Sequence, residues 1–131
     1  MPTYTGTSGA DTFAATDNQD WIIAGLGGAD VLSGSGGNDS LSGDAGNDML
    51  SGGDGDDSFL IGAGHGFDGF DGGLGYDAIK ALTDNVTIGV KTLSDIEEIS
   101  ANGYAGVTVS GDSSDNVFDF SNVLLTGIGQ I

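Results

Sequence analysis

The chain has 131 residues with 26 Gly, one Pro and no Cys, and 20 acids against two bases give it a formal charge of −18. That balance repels phosphate backbones and anionic lipid surfaces, which excludes nucleic acid as a natural partner and argues against membrane insertion. The lack of Cys excludes disulfides and thiolate metal sites.

Met1-Pro2-Thr3-Tyr4-Thr5-Gly6 has neither a basic n-region nor an apolar h-region, and no apolar run nears the roughly 20 residues of a spanning helix. No N-terminal signal peptide is expected. From Gly6 onward the chain repeats every nine residues. The clearest units are GSGGNDSLS (34–42), GDAGNDMLS (43–51) and GGDGDDSFL (52–60), which fit Gly-x-x-Gly-x-Asp-x-Φ-x with Φ apolar. Extending the frame adds GTSGADTFA (6–14), ATDNQDWII (15–23), GLGGADVLS (25–33), AGHGFDGFD (63–71) and GGLGYDAIK (72–80), with Ala24 and Ile61-Gly62 as insertions.

All eight units keep an acid at position six: Asp11, Asp20, Asp30, Asp39, Asp48, Asp57, Asp68 and Asp77. They also keep an apolar residue at position eight: Phe13, Ile22, Leu32, Leu41, Leu50, Phe59, Phe70 and Ile79. Position four is Gly except at Asn18, and Asn tolerates the left-handed backbone region best after Gly. Three units place Leu26, Ser35 or Asp44 at position two. Acids at a fixed period, each followed two residues later by an apolar side chain, argue for folding rather than the disorder that such charge often brings.

The pattern resembles the haemolysin-type RTX (repeats in toxin) family, whose unit is Gly-Gly-x-Gly-x-Asp-x-Φ-x and whose fold is a right-handed parallel β-roll, an all-β solenoid. The resemblance covers residues 6–80, and Leu26, Ser35 and Asp44 depart from the family's double glycine. It implies a Ca²⁺-binding module of a larger secreted bacterial protein. Such modules leave the cell in one step by type I secretion, stay unfolded in low cytosolic calcium and fold outside.

Physically, six residues of each unit form a turn and three form a short strand, two units make one coil, and Φ side chains fill the space between two parallel sheets. Ca²⁺ takes six to eight hard oxygen ligands, which suits turn carbonyls mixed with Asp carboxylates. One edge of the roll is expected to carry Asp11, Asp30, Asp48 and Asp68, and the other Asp20, Asp39, Asp57 and Asp77. Ions shared between successive coils number up to six. Without metal the stacked carboxylates repel, so folding is expected to be coupled cooperatively to Ca²⁺, with affinity on the order of 10⁻⁴ to 10⁻³ M.

After Lys80 the nonapeptide stops and short apolar runs recur: Val86-Thr87-Ile88, Ile96-Glu97-Glu98-Ile99, Val107-Thr108-Val109, Val117-Phe118-Asp119-Phe120 and Ile128-Gly129-Gln130-Ile131. Residues 81–131 read as a metal-independent continuation or cap of the solenoid, with a separate β-sandwich as the alternative. GDSSDNVFDFS (111–121) looks like a decayed repeat with Asp115 and Phe118 near the acid and apolar roles, hence a polar turn or a further ion position. The final residues stop mid-pattern, which implies either a longer natural chain or end-to-end packing of two copies.

Autonomous catalysis is not expected. His65 is the only histidine and sits at a variable turn position, where a solvated loop residue is the simpler reading. Lys91, Asp95, Glu97 and Glu98 offer acids and bases, but no nucleophile, base and orienting group can be assigned among them. Trp21, Tyr76 and Tyr104 could stack on sugars, with Trp21 at an outward-facing seventh position where a capping role also fits. The alternative role is therefore a carbohydrate-binding, adhesion or self-assembly module of a secreted polysaccharide-modifying enzyme or surface adhesin.

Overall fold

The computed structural model describes residues 1–114, 116 and 118–131. Among these there is no helix, and thirteen strands alternate between two sheets as the chain winds. The first sheet holds β1 (Thr3–Thr5), β3 (Ile22–Ala24), β5 (Ser40–Ser42), β7 (Ser58–Ile61), β9 (Ala78–Ala81), β11 (Glu98–Ser100) and β13 (Leu124–Thr126), in that spatial order. The second holds β2 (Thr12–Ala14), β4 (Val31–Gly36), β6 (Met49–Asp54), β8 (Phe67–Leu74), β10 (Thr87–Ser94) and β12 (Thr108–Gly111), also in chain order. Every pairing is parallel, so the molecule is a β-solenoid.

The period-two alternation of a strand lets one central apolar residue of each short strand face inward. In the first sheet Tyr4, Ile23, Leu41, Phe59, Ile79, Ile99 and Leu125 stand in register from coil to coil. In the second, Phe13, Leu32, Leu50, Phe70 and Leu93 do the same. The two stacks meet across the roll, as where Phe59 and Phe70 pack edge to face with centroids 5.6 Å apart. The stacks begin at an aromatic lid in which Tyr4 lies parallel to Phe13 at 4.1 Å and Trp21 tilts against Phe13 at 5.2 Å.

The second unit runs one residue out of its expected frame. Ile23, not Ile22, pairs with Leu41 and is buried, whereas Ile22 is exposed. Ala24 lies inside β3, and the extra residue sits in the Thr16-Asp17 turn, because Ala14 aligns with Ser33 but Ile22 with Ser40. Asn18 correspondingly does not take up positive φ. From Gly25 onward the turn backbone is strict: Leu26, Ser35 and Asp44 hold φ of 75°, 72° and 62° where later units place Gly53 and Gly73. The turn demands the left-handed conformation there whatever the side chain, at a cost to the non-Gly residues.

Both sheets run through residue 80 without a break, and the second half is solenoid rather than sandwich. Its runs at 86–88, 96–99 and 107–109 lie in or beside β10, β11 and β12. Residues 118–120 are not a strand and Gln130 makes only an isolated bridge to Thr108, whereas Leu124–Thr126 pairs with β11. Asp115, half of the decayed-repeat reading, lies outside the described residues.

Candidate metal centre

Each turn carries its acid to one edge of the roll, and the edges become ladders of carboxylates. On one edge Asp11 N–H donates to Asp30 Oδ1 (2.8 Å), Asp30 N–H to Asp48 Oδ1 (2.8 Å) and Asp48 N–H to Asp68 Oδ1 (2.9 Å). On the other, Trp21 N–H donates to Asp39 Oδ1 (2.6 Å), Asp39 N–H to Asp57 Oδ1 (2.7 Å), Asp57 N–H to Asp77 Oδ1 (2.8 Å) and Asp77 N–H to Glu97 Oε2 (2.8 Å). One oxygen of each carboxylate thus stitches its coil to the coil before it.

The second oxygen has no such role. Oδ2 of Asp30, Asp39, Asp48, Asp57, Asp68 and Asp77 is buried without a hydrogen-bond partner, and all six residues are at most 1 % exposed. Burying an anionic oxygen unsatisfied is among the costliest arrangements a fold can adopt. The first glycine of the unit makes room for that oxygen. A Cβ added to Gly25, Gly34, Gly43 or Gly52 would run into Oδ2 of Asp30, Asp39, Asp48 or Asp57 of the same unit. Carbonyls crowd the same turns, with those of Gly28, Gly37 and Gly55 lying where a Cβ on Gly46, Gly55 and Gly75 of the next coil would fall.

Among the described residues only Asp68 has a basic group beside its second oxygen. Among the described residues the only ion pair is His65 Nδ1 with Asp68 Oδ2 at 3.4 Å, while Lys80 Nζ donates to Ser58 Oγ at 2.9 Å. Burial, followed by neighbouring carboxylates, pushes Asp48 and Asp57 up to about 6 against the backbone N–H bonds that pull them down. Burial raises Asp39 and Asp77 in the same direction. Among the described residues no three carboxylate or imidazole groups converge on one point. The available donors are therefore single carboxylate oxygens with backbone carbonyls, an all-oxygen set that fits Ca²⁺ and not a thiolate- or imidazole-seeking ion.

Six of the eight predicted acids occupy the ladders with an orphaned oxygen, and two do not. Asp11 begins its ladder, but its Oδ2 takes Thr7 N–H (2.5 Å) and Thr7 Oγ1 (3.0 Å). Asp20 is displaced by the one-residue shift: Trp21 holds its expected rung, and Asp20 is exposed with Oδ1 accepting Asn38 N–H (2.8 Å). Asp20 instead starts a second ladder at position five, continued by Asp56 N–H to Asn38 Oδ1 and Tyr76 N–H to Asp56 Oδ1, each 2.9 Å. Its signal was the Asn or Asp preceding the acid in Asn38, Asn47 and Asp56. Glu97 was also missed as a rung, although Asp57, Asp77 and Glu97 share one spacing of 20 residues.

Trp21 and His65 are corrected too. For Trp21 only the outward orientation changes: the indole packs in the aromatic lid with Nε1 donating to Asp17 Oδ1 (2.9 Å), in keeping with the capping role expected of it. The His65 side chain is 4 % exposed, not a solvated loop group. Burial lowers its pKa, but Asp68 and the Thr87 and Gly66 backbone more than offset this and hold it above the ordinary imidazole value.

A sequence model described as the RTX calcium-binding nonapeptide repeat, in 4 copies, matches residues 5–27 and 25–59. No curated protein matches the chain. Units beyond residue 59 carry the same edge geometry at Asp68 and Asp77. Residues 5–59 thus match the RTX calcium-binding nonapeptide repeat, within a chain that is a parallel β-solenoid throughout its paired strands.

Proposed function

We propose that Asp30, Asp48 and Asp68 on one edge, and Asp39, Asp57 and Asp77 on the other, hold Ca²⁺ together with turn carbonyls, and that binding drives folding of the roll. The observation that carries this reading is the set of six buried carboxylate oxygens without partners. Bound Ca²⁺ supplies the positive charge that turns coil-to-coil repulsion into attraction, so metal-binding energy becomes folding energy. The six oxygens support up to six ions. Asp11 is a weaker ligand because Thr7 already occupies its second oxygen, and Asp20 lies off the ladders.

The biological role that follows is a secreted, non-catalytic module of a larger bacterial protein, unfolded for export where calcium is scarce and folded where it is millimolar. Calorimetric titration of the intact chain with Ca²⁺ tests the binding. Several ions taken up near 10⁻⁴ to 10⁻³ M, a range typical of extracellular sites, with fewer ions in Asp39→Asn/Asp57→Asn, is the expected result. Absence of Ca²⁺ uptake at millimolar concentration, or an unchanged isotherm in the variant, overturns it.

A further inference from the structure

The position-five ladder is shared unequally between the two edges of the roll. Beside Asp39, Asp57 and Asp77 it is unbroken: Asp20 Oδ1 accepts Asn38 N–H (2.8 Å), Asn38 Oδ1 accepts Asp56 N–H (2.9 Å) and Asp56 Oδ1 accepts Tyr76 N–H (2.9 Å). Beside Asp30, Asp48 and Asp68 its last step alone is present, from Phe67 N–H to Asn47 Oδ1 (2.9 Å). Ala10 and Ala29 hold position five in the earlier coils of that edge, and alanine has no side-chain acceptor.

The consequence falls on the turn carbonyls. A peptide group is planar and trans, so its N–H and C=O point in opposite directions. Drawing the N–H groups of Asn38, Asp56 and Tyr76 back to the preceding coil therefore aims the carbonyls of Gly37, Gly55 and Gly75 at the following one. The turns agree, because a Cβ on Gly55 or Gly75 would run into the carbonyl oxygen of Gly37 or Gly55 one coil before. On the other edge the Gly28 and Gly46 carbonyls point the same way, towards Gly46 and Gly66, without a position-five side chain holding their peptide groups from behind.

We propose that Asp20, Asn38 and Asp56 are positioning residues that fix the turn carbonyls beside Asp39, Asp57 and Asp77 before the ion arrives, so that this edge binds Ca²⁺ more tightly than the other. A donor already aimed loses less freedom on binding. The difference presupposes that the six orphaned carboxylates bind Ca²⁺, as proposed above.

The test compares chains that keep one edge each. Ca²⁺ is titrated calorimetrically into Asp30→Asn/Asp48→Asn, which keeps the Asp39 edge, and into Asp39→Asn/Asp57→Asn, which keeps the Asp30 edge, each with and without Asn38→Ala. Tighter binding by the first chain is expected. Asn38→Ala weakens it by about three- to tenfold, the net worth of one hydrogen bond, Asn38→Asp restores it by keeping the acceptor, and the second chain is indifferent to Asn38→Ala. Equal affinities of the two chains overturn the proposal. Equal weakening of both by Asn38→Ala also overturns it, and assigns Asn38 to the general stability of the roll.

Ala29→Asn in the otherwise unaltered chain covers the case in which the double variants fail to fold. It supplies the missing acceptor beneath Gly46, as Asn38 and Asn47 do beneath Gly55 and Gly66. Tighter Ca²⁺ binding by a similar factor is expected, and an unchanged affinity overturns the proposal. Absence of Ca²⁺ uptake by the unaltered chain removes the calcium reading and this proposal together, whereas uptake without an edge difference removes this proposal alone.

Discussion

The two halves of this solenoid share one backbone path and hold it together differently. Between residues 25 and 60 each unit buries one apolar side chain, such as Leu32, Leu41, Leu50 or Phe59, together with one carboxylate. Between 86 and 109 the coils bury Val86, Ile88, Val90, Ile96, Ile99, Val107 and Val109 instead, and the carboxylate ladder ends at Glu97. In the second sheet the ladder ends a coil earlier, with Val90 paired to Asp68. Burying a large aliphatic side chain contributes about 1.5–3 kcal/mol, whereas an unneutralised buried carboxylate opposes folding. The same fold is thus reached by packing in one half and, on our account, by metal in the other.

The comparison breaks most sharply at the carboxylates. Asn at positions 48 and 57 retains an acceptor for the ladder N–H but removes the charge. Asp48→Asn/Asp57→Asn is therefore expected to abolish most of the calcium-induced gain in stability, yet to stabilise the roll in chelator. Denaturant unfolding in Ca²⁺ and in EGTA measures both signs. Loss of stability in both conditions would show that the carboxylates act only as hydrogen-bond acceptors.

Ile99→Ala tests the packed half. Deleting this fully buried side chain is expected to cost about 2–5 kcal/mol, and nearly the same amount with or without Ca²⁺ wherever the packed coils remain folded. A cost that appears only in Ca²⁺ would place Ile99 in the metal-dependent unit.

Gly34→Ala probes the turn. The added Cβ strikes the Asp39 carboxylate, so a loss of about 1–3 kcal/mol is expected together with weaker Ca²⁺ binding. Gly62→Ala, where a Cβ meets nothing within 4 Å, is the matched control and is expected to leave Ca²⁺ binding unchanged.

The smallest effect is on pH dependence. Without calcium, Asp48 and Asp57 titrate near 6 in the folded roll, above the ordinary 3.8 of a free carboxylate. The folded form then binds more protons between those values, so the apo roll becomes more stable as pH falls from 6 towards 4. Above about 6 the penalty is fully present. In Ca²⁺ the trend reverses, because protons compete for the same oxygens and apparent affinity falls below pH 6. Circular dichroism against pH in EGTA and in Ca²⁺ reads both directions.

Much of this architecture was legible because the repeat couples backbone to chemistry within nine residues. The apolar eighth position and acidic sixth position place Leu32, Leu41, Leu50 and Phe59 in the core and their acids on the edges. Frame errors entered where the glycine signal failed. In ATDNQDWII no Gly marks the turn, so the nonapeptide frame places Asp20 and Ile22 each one residue ahead of the positions that Trp21 and Ile23 occupy. The position-five ladder was hidden because Asn and Asp alternate there with Ala29, Phe67 and Tyr76. Leu124–Thr126 escaped a ten-residue rhythm because the coil from Ile99 to Leu125 is longer than the others. The His65 environment depends on Thr87 and so could not be seen locally.

Region-resolved amide hydrogen exchange of the intact chain, in Ca²⁺ and in EGTA, tests the central claim most directly. The account predicts protection of residues 25–60 that depends on Ca²⁺ and collapses in EGTA, with greater residual protection around Ile88, Val90, Ile99 and Val109. Equal protection of residues 25–60 in both conditions would contradict it, and would mean that packing alone holds the carboxylate ladders together.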